Sequence, residues 1–196
     1  MKKIYLFLFI ISFSLCQAQE DPSKGYVITK NGLHLTGSIG TIYHSNMASE
    51  VIFTNDLGTT YSYRPELISG FVFEKDTETV TYESKFDRNK WVFFEVIEKG
   101  LGMNLYKSPE EKVRLYVRGN GFGSYTYKSE EYWVEVKGKF PIRINRFNFR
   151  KKMRRLLRNL SPELESKIGL PGYRFKDLEK IVLECNKLFR PGAKLI

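Results

Sequence analysis

The sequence predicts an α+β protein with an antiparallel, β-rich body, folded as a roll, a meander or a small barrel, followed by a C-terminal helical segment. Between residues 25 and 144, short runs of β-branched and aromatic residues alternate with turn residues, which is typical of strands. No long helical pattern interrupts these runs, so the parallel sheet of βαβ units is not expected. Near Asn145 the apolar spacing changes to the helical period.

The N-terminus has the pattern of a secretory signal peptide over residues 1–18. Two lysines precede an apolar run at residues 4–13, and we expect cleavage after Ala18. The run is too short to span a membrane, which takes about twenty apolar residues. Lipidation of Cys16 is the alternative, but Leu15 stands where a lipobox has a small residue. The predicted location is therefore exported, in the periplasm or outside the cell, rather than lipid-anchored in the envelope.

The chain is strongly basic, with 32 Lys and Arg against 22 Asp and Glu and a net charge of +10. Loss of residues 1–18 removes two lysines and no acid, so about +8 remains on the mature chain. Export disfavours nucleic acid as the natural ligand, although such a charge binds it nonspecifically. The expected partner is an anionic component of the envelope or an acidic protein.

Two hairpins begin the β body. Asn31-Gly32 is a two-residue turn signal between strands expected at about 25–30 and 33–40. The second hairpin turns at Asp56-Leu57-Gly58, between EVIFTN and TTYSYR. The further predicted strands are ISGFVFE, TVTYES, KWVFFEVIE, MNLYK, KVRLYVR, SYTYK, YWVEVK and FPIRI.

Three helices are predicted after the body. Asn145 is the expected N-cap of the first, whose apolar stripe consists of Phe149, Met153, Leu156, Leu157 and Leu160. Ser161 and Pro162 begin a short second helix. A third helix over about 175–189 has one apolar face that includes Cys185, which we interpret as a small buried hydrophobe.

We expect one structural unit after the signal peptide, with the β body at residues 19–144 and the helices at residues 145–196. Each predicted helix has a single apolar face, so it must pack on the sheet, on the other helices or on a partner. We favour packing on the sheet.

The side of the first helix opposite its apolar stripe is basic. It carries Arg150, Lys151, Arg154, Arg155 and Arg158. Five cations on one side, without interleaved acids, are denser than solubility requires, so we predict a surface that binds an anionic partner. Two alternatives stay open, an ordinary solvated face and an interfacial helix lying on a membrane.

No pattern in the sequence predicts catalytic residues, a metal site or a cofactor. His34 and His44 are the only histidines, and no cysteine or acidic cluster completes a ligand set with them. The stretch GNGFG at residues 119–123 runs into a predicted strand, so a connection between strands is favoured over a phosphate-binding loop. We predict a noncatalytic binding or scaffolding module of the cell envelope.

An enzyme that acts on an envelope glycan or lipid is the alternative function. It would use a cleft in the sheet, with acids such as Glu83, Glu95 or Glu135 at perturbed pKa values. Two carboxylates that converge in a concave pocket would favour the enzyme. Acids scattered over a convex surface would favour the binding module.

Four segments cover nearly the whole mature chain in order. They are KGYVITKNGLHLTGSI, VIFTN followed by YSYRPELISGFVF, FFEVIEKGLGMNLYK, and PELESKIGL followed by YRFKDLEKIVLECN. Together they resemble a family of small bacterial envelope proteins that carry a signal peptide and have no assigned function. The resemblance implies an exported protein with a β body and a helical end, and it implies no catalytic or ligand residues. The GNGFG stretch and the density of arginine in the helical segment depart from the family pattern.

Overall fold

The structure is a computed structural model that describes residues 22–45, 48–108, 111–118, 121–128 and 130–189. The predicted signal peptide, including Cys16, lies outside these residues. The strands, in chain order, are β1 (Ser23–Thr29), β2 (His34–His44), β3 (Ser49–Asn55), β4 (Thr60–Tyr63), β5 (Ile68–Lys75), β6 (Glu78–Phe86), β7 (Trp91–Glu98), β8 (Met103–Lys107), β9 (Glu111–Arg118), β10 (Gly121–Lys128), β11 (Tyr132–Val136) and β12 (Ile142–Ile144).

The strands form mainly one antiparallel sheet. Ten of them are ordered β12-β11-β8-β7-β6-β5-β1-β2-β3-β4, and β9 pairs with β10 separately. The predicted α+β class, an antiparallel body followed by helices, is confirmed. The predicted roll or small barrel is not confirmed, because the sheet is not closed and β12 and β4 stand at its two ends. Of the GNGFG stretch, Gly121 to Gly123 lie in β10, and residues 119 and 120 lie outside the described residues.

The helical segment contains α1 (Phe149–Leu157), α2 (Pro162–Lys167) and α3 (Leu178–Leu188), with a 3₁₀ turn (Phe175–Asp177) directly before α3. Within the described part of the chain, no helix is long and apolar enough to cross a membrane. Ser161 caps α2 as predicted, because its hydroxyl accepts a hydrogen bond from the backbone N–H of Leu164 over 3.3 Å.

The predicted N-cap of α1 is wrong. Asn148 occupies the N-cap position, and α1 begins one residue later. The side chain of Asn145 instead accepts hydrogen bonds from the backbone N–H groups of Phe147 and Asn148. Asn145 therefore stabilises a turn between β12 and α1, since its short polar side chain bonds the backbone two or three residues on.

One core consists, among the described residues, of side chains from the ten-stranded sheet. Its buried residues are Val27, Ile39, Val51, Phe53, Ile68, Phe71, Phe73, Tyr82 and Phe93. β3 contacts β7, although four strands separate the two in the sheet. The backbone N–H of Phe93 donates to the hydroxyl of Ser49 over 3.5 Å. The sheet therefore bends back until its two distant strands meet around this core.

A second core lies between the sheet and the helices. Its buried residues are Met103, Leu105, Val134, Val136, Ile144, Phe149, Met153, Leu156, Leu157, Leu164, Ile168, Leu178, Ile181, Val182 and Cys185. The helices thus pack on β8, β11 and β12, the arrangement that the single apolar faces favour. Burial raises the pKa of Cys185 to about 11, so the thiol behaves as a small apolar group.

Candidate binding groove

The structure divides the predicted basic face of α1 into two kinds of residue. All five side chains, Arg150, Lys151, Arg154, Arg155 and Arg158, are exposed. Arg154 donates to the carbonyl of Ile168 over 3.1 Å and Arg150 to that of Gly169 over 3.4 Å. Arg158 lies 3.7 Å from the carboxylate of Glu165.

These contacts tie α1 to the C-terminal end of α2, where backbone carbonyls have no helical partner. Lys151 and Arg155 make no hydrogen bond or ion pair with any residue in the described ranges through their side chains. Three of the five predicted binding residues therefore have contacts within the protein, and two face solvent alone.

A groove with a volume of about 650 Å³ lies beside this face. It is lined by Glu130, Arg146, Phe147, Phe149, Arg150, Gly169, Arg174, Phe175 and Lys176. Its volume is within the roughly 300–1,000 Å³ typical of small-molecule sites. Four of these residues are cations, three are phenylalanines and one is an acid, so the groove is both basic and aromatic.

Local structure explains how these residues come together. Arg146 and Phe147 lie in the turn that Asn145 stabilises, and Arg150 follows on the first turn of α1. Arg174 and Lys176 flank and occupy the 3₁₀ turn, where the backbone N–H of Arg174 donates to Asp177 over 2.9 Å. The rings of Phe149 and Phe175 meet edge to face with their centroids 6.1 Å apart, which fixes the two walls against each other.

The positive charge of the groove is only partly offset from within, by Glu130. The side chains of Arg146, Arg174 and Lys176 form no ion pair with another described residue. Glu130 accepts a hydrogen bond from the hydroxyl of Tyr132 over 3.0 Å. The four cations outnumber the one acid of the groove and repel one another, so an anion that enters the groove gains their combined attraction.

Phe147 is the most unusual residue of the groove, because 98% of its surface is exposed. A phenyl ring in water loses the free energy that burial would give it, on the order of 2 kcal/mol. A single exposed apolar residue is ordinary, but this one lines a groove with excess positive charge. The location favours a ligand that has an apolar part next to its anionic part.

Of the five binding residues predicted from the sequence, Arg150 lines the groove, whereas three cations that also line it, Arg146, Arg174 and Lys176, were not predicted. The last two lie after α2, so only the fold of the helical segment brings them next to α1. One local signal was present. Phe147 lies outside the apolar stripe of α1, in a turn where a polar residue is usual.

The acids suggested for an enzyme are partly brought together. Lys85 Nζ lies 3.0 Å from Glu135 and 3.4 Å from Glu83. The buried hydroxyl of Tyr106 donates to Glu135 over 2.7 Å and lies 3.1 Å from Glu83. Glu83 and Glu135 therefore converge, whereas Glu95 stands apart from them, 3.5 Å from the hydroxyl of Tyr82.

The surroundings of Glu135 favour its charged form. Burial alone would raise the pKa of Glu135, but hydrogen bonds from Asn104, Tyr106 and Lys85, together with the charge of Lys85, lower it below the ordinary value. Burial, followed by the hydrogen bond to Glu135, raises the pKa of Tyr106. Glu135 is thus a weak base and Tyr106 a weak acid, which fits a bracing network across β6, β8 and β11.

Among the residues that the structure describes, no group of three His, Cys, Asp or Glu is placed to hold a metal ion. No protein-family model matches the chain, and no curated protein or solved structure shows significant similarity to it. The functional argument therefore depends on the chemistry of the groove.

Proposed function

We propose that the protein is an exported, noncatalytic binding module of the cell envelope, which holds the anionic head group of an envelope lipid in the basic groove. Export is taken from the predicted signal peptide, and the resemblance to small envelope proteins agrees with it. The observation that carries the proposal is the groove itself, where Arg146, Arg174 and Lys176 have no ion-pair partner among the described residues.

A lipid fits these residues better than an acidic protein or a purely polar glycan. The cations attract a phosphate or carboxylate, and each Lys or Arg near an anionic surface contributes on the order of 1 kcal/mol. The exposed ring of Phe147 then contacts the apolar part of the same molecule. Aromatic residues at the edge of a cationic surface are typical of proteins that lie at the boundary between head groups and acyl chains.

The five predicted binding residues have different roles in this proposal. Arg150 lines the groove and contacts the ligand. Lys151 and Arg155 add long-range attraction from solvent, which salt screens over about 8–10 Å. Arg154 and Arg158 mainly hold α1 against the end of α2.

The convergence of Glu83 and Glu135 is the one observation in favour of the alternative, an enzyme acting on an envelope glycan or lipid. A glycoside-cleaving pair needs one carboxyl group that stays protonated near neutral pH. The lowered pKa of Glu135 and the ion pairs of Lys85 with both acids favour a charged, structural network instead. We therefore base the proposed function on the groove.

Binding to lipid vesicles tests the proposal. Vesicles of phosphatidylcholine with and without about a third of phosphatidylglycerol would be sedimented with the protein and with the triple variant Arg146→Glu, Arg174→Glu, Lys176→Glu. We expect binding only to the anionic vesicles, and a loss on the order of a hundredfold in the triple variant, since three attractive charges become repulsive.

A matched control separates the groove from net charge. Lys75, Lys137 and Lys139 are exposed residues outside the groove, and their reversal to Glu changes the total charge by the same amount. We expect this variant to keep most of the binding. Equal losses in the two triple variants, or no binding to either kind of vesicle, would overturn the groove as a lipid site. A separate Phe147→Ser variant should bind the anionic vesicles more weakly than the original protein, without a change in how binding depends on salt.

A further inference from the structure

A second cavity lies at the end of the sheet farthest in strand order from the helices. It has a volume of about 440 Å³ and is formed by β2, β3, β4 and the turn between the last two. Its lining residues are His34, Leu35, Thr36, Phe53, Asn55, Asp56, Leu57, Tyr61 and Tyr63. None of them belongs to the basic groove, so any activity of this cavity is independent of the lipid site.

Two tyrosines contribute stacked aromatic rings to the lining of the cavity. Tyr61 and Tyr63 are two residues apart on β4, so they share one face of that strand. Their ring centroids are 5.8 Å apart and their planes differ by 19°. Phe53 supports Tyr63 from the neighbouring strand, with centroids 6.2 Å apart. Tyr61 remains 41% exposed on β4, which is the last strand of the sheet.

The rest of the lining combines two leucines, Leu35 and Leu57, with polar residues that have free hydrogen-bonding groups. The ring nitrogens of His34 and the hydroxyl groups of Tyr61 and Tyr63 form no hydrogen bond with any other described residue. Asp56 accepts a hydrogen bond from the Thr36 hydroxyl through one carboxylate oxygen. Within this cavity, donors and acceptors thus stand beside aromatic faces, and Asp56 is its only carboxylate.

We propose that this cavity binds a neutral pyranose unit of a glycan. A pyranose ring presents C–H groups on its faces and hydroxyl groups around its rim, which matches nearly parallel tyrosine rings bordered by His34 and Asp56. An anionic ligand is disfavoured, because the lining contains an acid and no Lys or Arg. A purely apolar ligand would leave the polar groups of the wall without hydrogen bonds, which costs binding free energy.

The alternative occupant is a peptide strand that pairs with the outer edge of β4. A peptide would be held mainly by the backbone of β4, so its binding would change little when the ring of Tyr61 is removed. A sugar depends directly on that ring. Substitution of Tyr61 therefore distinguishes the two occupants.

The test titrates the protein with five neutral hexasaccharides: cellohexaose, chitohexaose, xylohexaose, laminarihexaose and maltohexaose. Binding is followed by saturation-transfer NMR, which also reports which sugar protons touch the protein. We expect at least one hexasaccharide to bind, and Tyr61→Ala to weaken it about tenfold, the value of one aromatic contact. Tyr61→Phe should retain most of the binding, because the flat ring remains.

Tyr125→Ala is the matched control, since Tyr125 is 48% exposed and lies on β10, outside the cavity. It should leave sugar binding unchanged. His34→Ala is measured in parallel, in case loss of the Tyr61 ring disturbs the packing of Tyr63, and it should weaken binding by removing a hydrogen-bonding group. The proposal is overturned if none of the five sugars binds, or if the Tyr61→Ala and His34→Ala variants, both folded, bind the sugar as well as the original protein.

Discussion

The two ends of the sheet bury their apolar surface in different ways. At the end formed by β12, β11 and β8, three helices cover the sheet and supply most of the core. At the end formed by β5, β1, β2 and β3, the sheet covers itself by bending until β3 reaches β7. Helices therefore bury the apolar surface at one end of the sheet, and the curvature of the sheet buries it at the other.

The glycines at the two ends of the sheet have different packing roles. A Cβ atom on Gly25, Gly37 or Gly70 would lie 2.1–2.2 Å from a backbone carbonyl oxygen of the neighbouring strand. All three are in the end formed by β5, β1, β2 and β3, which we call the bent end. There the missing side chain permits the close approach of neighbouring strands. At the helical end, Gly100 and Gly102 make room instead for side chains of α3 and the residue after it, Asn186 and Phe189.

Asn186 is the link between the helical end and the sheet. Its side-chain oxygen accepts from the backbone N–H groups of Gly102 and Met103 over 3.2 and 2.8 Å, and its nitrogen donates to the carbonyl of Met103 over 3.0 Å. These bonds satisfy backbone groups at the start of β8 that the sheet leaves unpaired. Helix docking therefore needs one specific polar contact besides the apolar stripe.

The largest predicted effect concerns the two largest cores. Leu157 and Phe71 are both fully buried, one in each core. We expect Leu157→Ala and Phe71→Ala each to lower the free energy of unfolding by about 3–4 kcal/mol, through lost burial and a residual cavity. Urea denaturation, followed by tryptophan fluorescence and far-ultraviolet circular dichroism, measures both.

The same experiment tests whether the two ends of the sheet unfold together. Because β7 and β8 contribute to adjoining parts of the two cores, we expect one cooperative transition in each variant, with coincident probes. Two separate transitions would mean that the bent end and the helical end are independent units. Leu33→Ala, at a residue that is 64% exposed, is the control and should change the stability by less than about 0.5 kcal/mol.

The helical end could be predicted from sequence to a large extent, and the bent end could not. The stripe containing Met153 and Leu157 is a local pattern with a fixed period, so it predicts both the helix and its buried side. Bending depends on where glycines meet a neighbouring strand, and Gly25 on β1 meets Val72 and Phe73 of β5, a strand distant in sequence. A glycine within a strand signals a close approach without naming the neighbour, and the strand pattern therefore left the roll, the meander and the barrel open.

The second prediction examines the curvature directly. In Gly70→Ala the new Cβ would lie 2.2 Å from the carbonyl oxygen of Tyr82, so β5 and β6 must separate. We expect a loss of about 1–3 kcal/mol, the usual cost of overpacking. Gly40→Ala is the matched control in β2, because its Cβ has no neighbour nearer than 3.6 Å. It should be neutral or slightly stabilising, since alanine loses less entropy than glycine in a strand.

Equal stabilities of Gly70→Ala and Gly40→Ala would show that the bend does not depend on the close approach at Gly70. A loss confined to Gly70→Ala would support the role assigned to glycine at this end. Thermal unfolding of both variants under identical conditions compares their stabilities. Leu157→Ala and Phe71→Ala serve as references for a large loss of stability.

The candidate groove was only partly predictable for a similar reason. The basic side of α1 is a local pattern, and it includes Arg150, which lines the groove. Arg174 and Lys176 reach the groove through the turns that follow α2, which no periodicity describes. The internal hydrogen bonds of Arg154 were also hidden, because the sequence does not show which carbonyl groups end up next to a helix face.

The smallest predicted effect separates structure from binding on α1. Arg154 donates to the carbonyl of Ile168, whereas Arg155 faces solvent, so the two adjacent arginines are a matched pair. We expect Arg154→Gln to lower the free energy of unfolding by about 1 kcal/mol, the net value of one such hydrogen bond, and Arg155→Gln to change it by less than about 0.5 kcal/mol. Both variants lose one charge, so their binding to anionic vesicles should decrease by the same factor.

If Arg154→Gln is as stable as Arg155→Gln but binds vesicles more weakly, Arg154 belongs to the binding surface rather than to the support of the α1–α2 contact. The helical end would then present a continuous cationic face, and the groove would be only its deepest part.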